Sequence, residues 1–137
     1  MKLRTLLTCL LMGACASTPV YAPPLGVALA CSAESATICP PGGCREPGPQ
    51  SRAPVSITVP AGNERGRYCT GSSCQDVAVR PTLTRALGWT AEIWGGSDFS
   101  RLMGELQIGS ERRTFLLRQS SGNALYVWSG VCNAAGS

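Results

Sequence analysis

The chain of 137 residues has no histidine, and its single lysine, Lys2, stands beside the first methionine. Those two gaps remove much of enzyme chemistry. No Ser-His-Asp or Cys-His arrangement can form, and no lysine is placed for a Schiff base or an S-x-x-K pair. Ser72, Ser73, Ser97 and Ser121 lie close to glycines, but none stands in G-x-S-x-G. C-x-x-C is also missing, which excludes thioredoxin-type redox chemistry and, with histidine absent, the common zinc spacings. We therefore expect no metal and no cofactor. No apolar run approaches the roughly 20 residues that cross a bilayer as a helix. Arginine does not fill the cationic gap either: without Lys2 and Arg4, ten cations, all arginine, face eight carboxylates, a net charge of about +2. That bias is too weak, and too poorly interleaved with aromatics, for nucleic acid.

What is present begins with an export signal. Met1-Lys2-Leu3-Arg4 puts two cations ahead of an apolar stretch, 6–12, that ends in the small residues Gly13 and Ala14. This is the layout of a signal peptide over 1–14. Met12-Gly13-Ala14-Cys15 resembles the bacterial lipobox, which makes Cys15 a candidate lipid anchor. Ala14-Cys15-Ala16 also fits ordinary cleavage before Ser17, so both cuts stay open, and Ala28-Leu29-Ala30 before Cys31 is a third, more distant one. A membrane contact is expected only through that N-terminal lipid, with the product in the periplasm, on the outer membrane surface, or secreted.

Of the eight cysteines, Cys9 falls inside the signal and Cys15 is either removed or lipidated. Six remain, a count that suits three disulfides in an oxidising compartment. Two pairs share one spacing, Cys39-Pro-Pro-Gly-Gly-Cys44 and Cys69-Thr-Gly-Ser-Ser-Cys74. Each encloses four turn-forming residues, so each suits a cross-link between the arms of a hairpin. Cys31 and Cys132 are then left to join the ends of the domain.

The body reads as strands. Val55-Ser56-Ile57-Thr58-Val59 alternates cleanly and stops at Pro60-Ala61-Gly62-Asn63, as a half-buried strand does before a turn. Further strands are expected at 65–69, 74–80, 89–94, 102–108, 114–119 and 124–131, with one more before Cys39. Residues 82–87 are a short helical candidate, and the proline-rich 40–54 a surface loop. Turn signals every 8 to 12 residues argue for an all-β fold: a small antiparallel meander of about eight strands, barrel or sandwich, stapled by three disulfides. The organisation expected is a lead-in or tether over 15–30, a β domain over 31–132 and a short tail over 133–137.

Three aromatics are the candidate binding residues. Trp94 lies on the Thr90, Glu92 side of its strand, opposite Trp89, Ala91 and Ile93; Tyr126 and Trp128 share one side of the last strand, opposite Leu125, Val127 and Val131. Gathered at a barrel mouth or on an exposed face they would form a contact surface, and completing a two-sided core is their other reading. Glu92, Glu105, Asp76 and Asp98 are the carboxylates on which a histidine-free hydrolase would rest. Arg112, Arg113 and Arg118 are candidates for recognising an acidic group.

From Ser120-Ser121-Gly122 through Tyr126 and Trp128 to Cys132, the sequence resembles the bacterial lipoprotein inhibitors of c-type lysozyme. That resemblance implies a small eight-stranded barrel with a Ser-Gly loop that enters a lysozyme cleft. Two departures stand against it: one extra residue separates Gly122 from Tyr126, and the lysine that assists the loop has no counterpart here. The function expected is a non-catalytic binding or interaction domain of the bacterial envelope, for a ligand or envelope protein of unknown identity. The alternatives are a lysozyme-type hydrolase inhibitor and a carboxylate hydrolase.

Overall fold

Alternating apolar and polar residues bury one side of a strand and wet the other. Eight such strands follow one another in the computed structural model, which describes residues 23–48, 53–82 and 88–136. They are β1 (Leu29–Cys39), β2 (Val55–Val59), β3 (Arg65–Thr70), β4 (Ser73–Thr82), β5 (Trp89–Gly95), β6 (Arg101–Ile108), β7 (Thr114–Ser121) and β8 (Ala124–Ala134). Each pairs antiparallel with its sequence neighbours, and β1 also pairs with β8, so the meander closes into a barrel rather than folding as a sandwich.

Ile57, Val59, Ile93, Leu106, Ile108 and Leu117 point inward with essentially no exposure, and no polar or charged side chain is buried among the described residues. A barrel of eight strands is just wide enough to be filled by such side chains. Where β1 bulges between Ala33 and Ser35, β8 presses against it at Gly130. A Cβ at Gly130 would run into the Ser32 carbonyl oxygen and stand 2.8 Å from Ala33 Cα.

The six cysteines pair as the spacing suggests. Cys31 and Cys132 are register partners across the β1–β8 seam, joined inside the core. Cys69 and Cys74 are partners on β3 and β4. Of the four residues between them, Thr70 and Ser73 still pair, and Gly71 and Ser72 make the turn, Gly71 at φ 60°. Cys39–Cys44 closes a second turn, beside which Ile38 and Arg45 exchange both backbone hydrogen bonds at 2.8 Å.

The domain is longer at both ends than expected. Leu25 belongs to the core, the Trp89 indole donates to the Pro23 carbonyl at 3.1 Å, and Gly26 N donates to Ala61 O at 2.8 Å. The lead-in over 15–30 is thus part of the fold from Pro23 onward. The physical reason is the barrel end where β1 begins, at which Leu25 enters the core and Val27 packs against it; the surrounding prolines and glycine disguised them as linker. At the other terminus β8 runs to Ala134, and Ala135 N donates to Ala28 O at 2.9 Å, where a tail over 133–137 was expected. The signal peptide, Cys15 and the helical candidate beyond Thr82 lie outside the described residues.

Candidate functional site

At one end of the barrel β1 parts from β2. The two pair only over four residues, Leu29 to Ser32 against Val59 to Ser56, while β1 continues along β8 to Cys39. The barrel is therefore open at this end. A cavity of about 410 Å³ in its mouth is lined by Tyr68, Thr70, Arg101, Leu102, Met103, Gln119, Ser120, Ser121, Tyr126 and Trp128.

Register places the two aromatics of β8. Direct partners in an antiparallel pair project to the same face. Trp128 faces the fully buried Leu117, and Tyr126 faces Gln119 one pleat nearer the mouth. Their rings stack, with centroids 5.7 Å apart and planes 14° apart, and both remain half-buried. The Tyr68 hydroxyl donates to Gln119 Oε1 at 3.3 Å. Trp128 also lines a smaller cleft of about 180 Å³ with Ala33, Ala36, Glu46 and Val55, where β1 and β2 separate.

Met103 reaches the mouth through an irregularity. Ile93 pairs with Gly104 but Trp94 with Leu102, so Met103 is the extra residue of a β-bulge, which turns its side chain inward. There its sulfur lies over Gly95, where a Cβ would collide with it.

Trp94 stands apart. It follows the buried Ile93 by one residue and so projects from the outer wall, where its Nε1 donates to Glu92 Oε2 at 2.9 Å and the Arg80 guanidinium lies 4.6 Å from its ring centroid. Of the three aromatics proposed from sequence, the structure brings together Tyr126 and Trp128, and Trp94 is not among the residues lining the mouth. Tyr68, Met103 and Gln119 were missed. Alternation of Gly66 and Tyr68 carried a usable signal; the Met103 bulge carried none.

Glu92 and Glu105 are direct partners on β5 and β6, lining a depression in the outer wall with Gln107 and Arg118. Arg80 stands opposite Glu92, and Arg118 opposite Glu105, so the outer wall carries a row of two adjacent carboxylates with an arginine at each end. Glu92 is half-buried and Glu105 exposed. Burial is a common means of tuning a carboxyl into a general acid, and no carboxylate among the described residues is buried. Asp76 is exposed on β4 opposite Arg67. Asp98 sits between β5 and β6, where the Ser100 hydroxyl at 2.6 Å and the Ser100 amide at 3.2 Å donate to it and hold its carboxyl below the usual range. Arg112 and Arg113 lie in the turn before β7, apart from Arg118 within that strand.

The β3–β4 and β7–β8 turns both point out at the mouth end. Each is a tight two-residue turn, Gly71-Ser72 and Gly122-Asn123, with Thr70, Ser120 and Ser121 on the cavity rim. Comparison of the chain with family models, with curated proteins and with solved structures gave no match.

Proposed function

We propose that the chain is an exported, non-enzymatic binding domain of the bacterial envelope whose ligand enters the barrel mouth and rests on the Tyr126–Trp128 stack. The observation that carries this reading is the stack itself: two aromatic rings held half-buried in an open concavity of about 410 Å³ rather than sealed in the core. Ligand sites are concave, largely apolar, and fitted with a few polar groups that set orientation. Here Met103 and Leu102 extend the apolar surface, and Gln119, Thr70, Ser120, Ser121 and Arg101 supply the polar groups.

Tryptophan fluorescence tests the reading, with soluble peptidoglycan fragments and the apolar dye 1-anilinonaphthalene-8-sulfonate as probes. Saturable binding that Trp128→Ala abolishes and Trp94→Ala leaves within twofold is expected. Equal losses in the two variants, or no binding by either probe, refute it. The envelope address has its own measurement: intact mass of the mature protein from its native envelope, expected to begin at lipidated Cys15 or at Ser17 and to lack six hydrogens.

A second reading, an inhibitor of lysozyme-type hydrolases, is supported by the closed eight-stranded barrel and by a hairpin tip that Cys69–Cys74 stiffens at the mouth rim. The barrel alone does not carry it, because a fold hosts many functions. Uniformly negative inhibition assays against c-type lysozymes would remove it.

A further inference from the structure

We infer that the outer wall carries a second site, separate from the mouth, that binds a phosphate group between Arg65 and Arg80. Arg65 opens β3 and Arg80 lies on β4, and both flank Ala78, the direct partner of Arg65. The segment 96–100 brings Phe99 up to both cations. Phe99 then lies beneath Arg65, whose Cζ is 3.4 Å from the ring centroid, and the Phe99 carbonyl accepts from Arg80 Nη2 at 3.2 Å. Arg80 in turn covers the Trp94 ring at 4.6 Å.

Both cations are thus fixed by aromatic rings and a carbonyl, and no carboxylate among the described residues pairs with either. Three acids lie nearby: Glu92, the cross-strand partner of Arg80, accepts from the Trp94 indole at 2.9 Å, and Glu64 and Asp98 are committed to their own turns. Glu64 Oε2 accepts from Gly62 N at 2.9 Å, and Asp98 accepts from Ser100. A guanidinium stacked on a ring keeps its in-plane N–H groups available, in the fork that matches carboxylate and phosphate oxygens. Holding the side chains in advance also lessens the entropy lost on binding.

Two further observations point to a ligand. Phe99 has φ 54°, one of two non-glycine residues in the left-handed region among those described, the other being Arg112, and such backbone is enriched at binding sites. Beside it opens a cavity of about 730 Å³, which Asn63, Pro23, Pro24 and Pro81 also line. That volume exceeds a bare anion and leaves room for the organic part of a phosphate ester against the prolines. The phosphate of a free ester and that of a lipid headgroup offer the same oxygens.

The test is NMR on the mature chain, following the Arg65 and Arg80 Nε–H signals and the Phe99 amide at constant ionic strength. Inorganic phosphate is one titrant, and vesicles of phosphatidylglycerol, with phosphatidylcholine vesicles as control, are the other. Saturable shifts with inorganic phosphate support the site with a free ester as its source. Shifts with phosphatidylglycerol vesicles alone support it with a headgroup as its source. Arg65→Gln and Arg80→Gln should each weaken binding at least tenfold, and Arg113→Gln less than twofold. Phe99→Ala removes no charge yet should weaken binding severalfold by releasing Arg65. No shift with either titrant, or a loss in Arg113→Gln as large as in Arg65→Gln, overturns the inference.

Discussion

Cys31 and Cys132 sit on the two strands whose pairing closes the barrel and are 101 residues apart in sequence, whereas the two hairpin disulfides each span five. In the chain-entropy model a cross-link acts on the unfolded chain, by about 4.7 kcal/mol for a loop of about 100 residues and about 2 kcal/mol for one of about six. Against a domain stability of roughly 5–15 kcal/mol, the seam bond is a third to nearly all of the total. A chain starting at Ser17 and keeping only Cys31 and Cys132 (C39A/C44A/C69A/C74A) should be unfolded in urea with and without reductant. Toggling one bond in this way leaves no cavity behind. With a urea slope of about 2 kcal/mol/M, reduction should lower the midpoint by about 2 M, against about 1 M when Cys69–Cys74 alone is removed from the native chain. A seam effect no larger than the hairpin effect would refute the argument. It would mean that the unfolded chain retains enough barrel-like structure to hold its ends together without the bond.

The remaining predictions concern single side chains. Gly130→Ala forces a methyl group into the Ser32 carbonyl at the β1 bulge and should cost about 2–4 kcal/mol in a thermal melt; a change below 1 kcal/mol would mean that the seam has slack. Trp128→Ala, facing Leu117 inside the barrel, should cost about 2–3 kcal/mol, and Trp94→Ala on the outer wall less than about 1 kcal/mol. Equal costs in urea would contradict the inward placement. Asp98, held low by Ser100, is a carboxylate with a depressed folded value. Its support of the turn is therefore present above the ordinary aspartate value of about 3.9 and lost as pH falls through the lower folded value. The Ser100 amide shift should titrate with a midpoint below about 3.9 and cease to titrate in Asp98→Asn; a higher midpoint counts against the hydrogen bonds.

The strands were legible because each carries its own period and its own stop. Val55 to Val59 alternates and ends at Pro60, and β2 has those bounds. The hairpin disulfide at Cys69 was legible for a related reason. Four residues between cysteines leave room for one more strand pair and a two-residue turn, which is the register found. Closure was legible only as far as the Cys31–Cys132 pair, which brings the ends of the domain together; the β1–β8 register joins residues about a hundred apart, and no local pattern reports it. The segment before β1 was not legible: Leu25 and Val27 read as linker between prolines and glycine until the barrel end at which they pack is known.

The candidate site was half legible, and the half that failed shows what alternation can and cannot decide. Trp94, Tyr126 and Trp128 were assigned correctly to faces within their own strands. Which face turned inward in β8 was open, because Leu125 and Val127 on one side are as apolar as Tyr126 and Trp128 on the other. Long-range register resolves it: Cys132 is tied to Cys31 in the core, and steps of two back from Cys132 reach Gly130, Trp128 and Tyr126. Both premises, the Cys31–Cys132 pair and the period of two, are present in the sequence. Taken together they turn the aromatic side of β8 inward, and the buried Ile93 beside Trp94 turns that indole out. What no period could supply is the bulge at Met103, whose single extra residue brings a flexible sulfur into the mouth and sets Leu102, the register partner of Trp94, on its exposed rim. The shape of the mouth therefore depends on an irregularity in β6, and removing that residue should alter the cavity while leaving the barrel's closure, set by β1 and β8, in place.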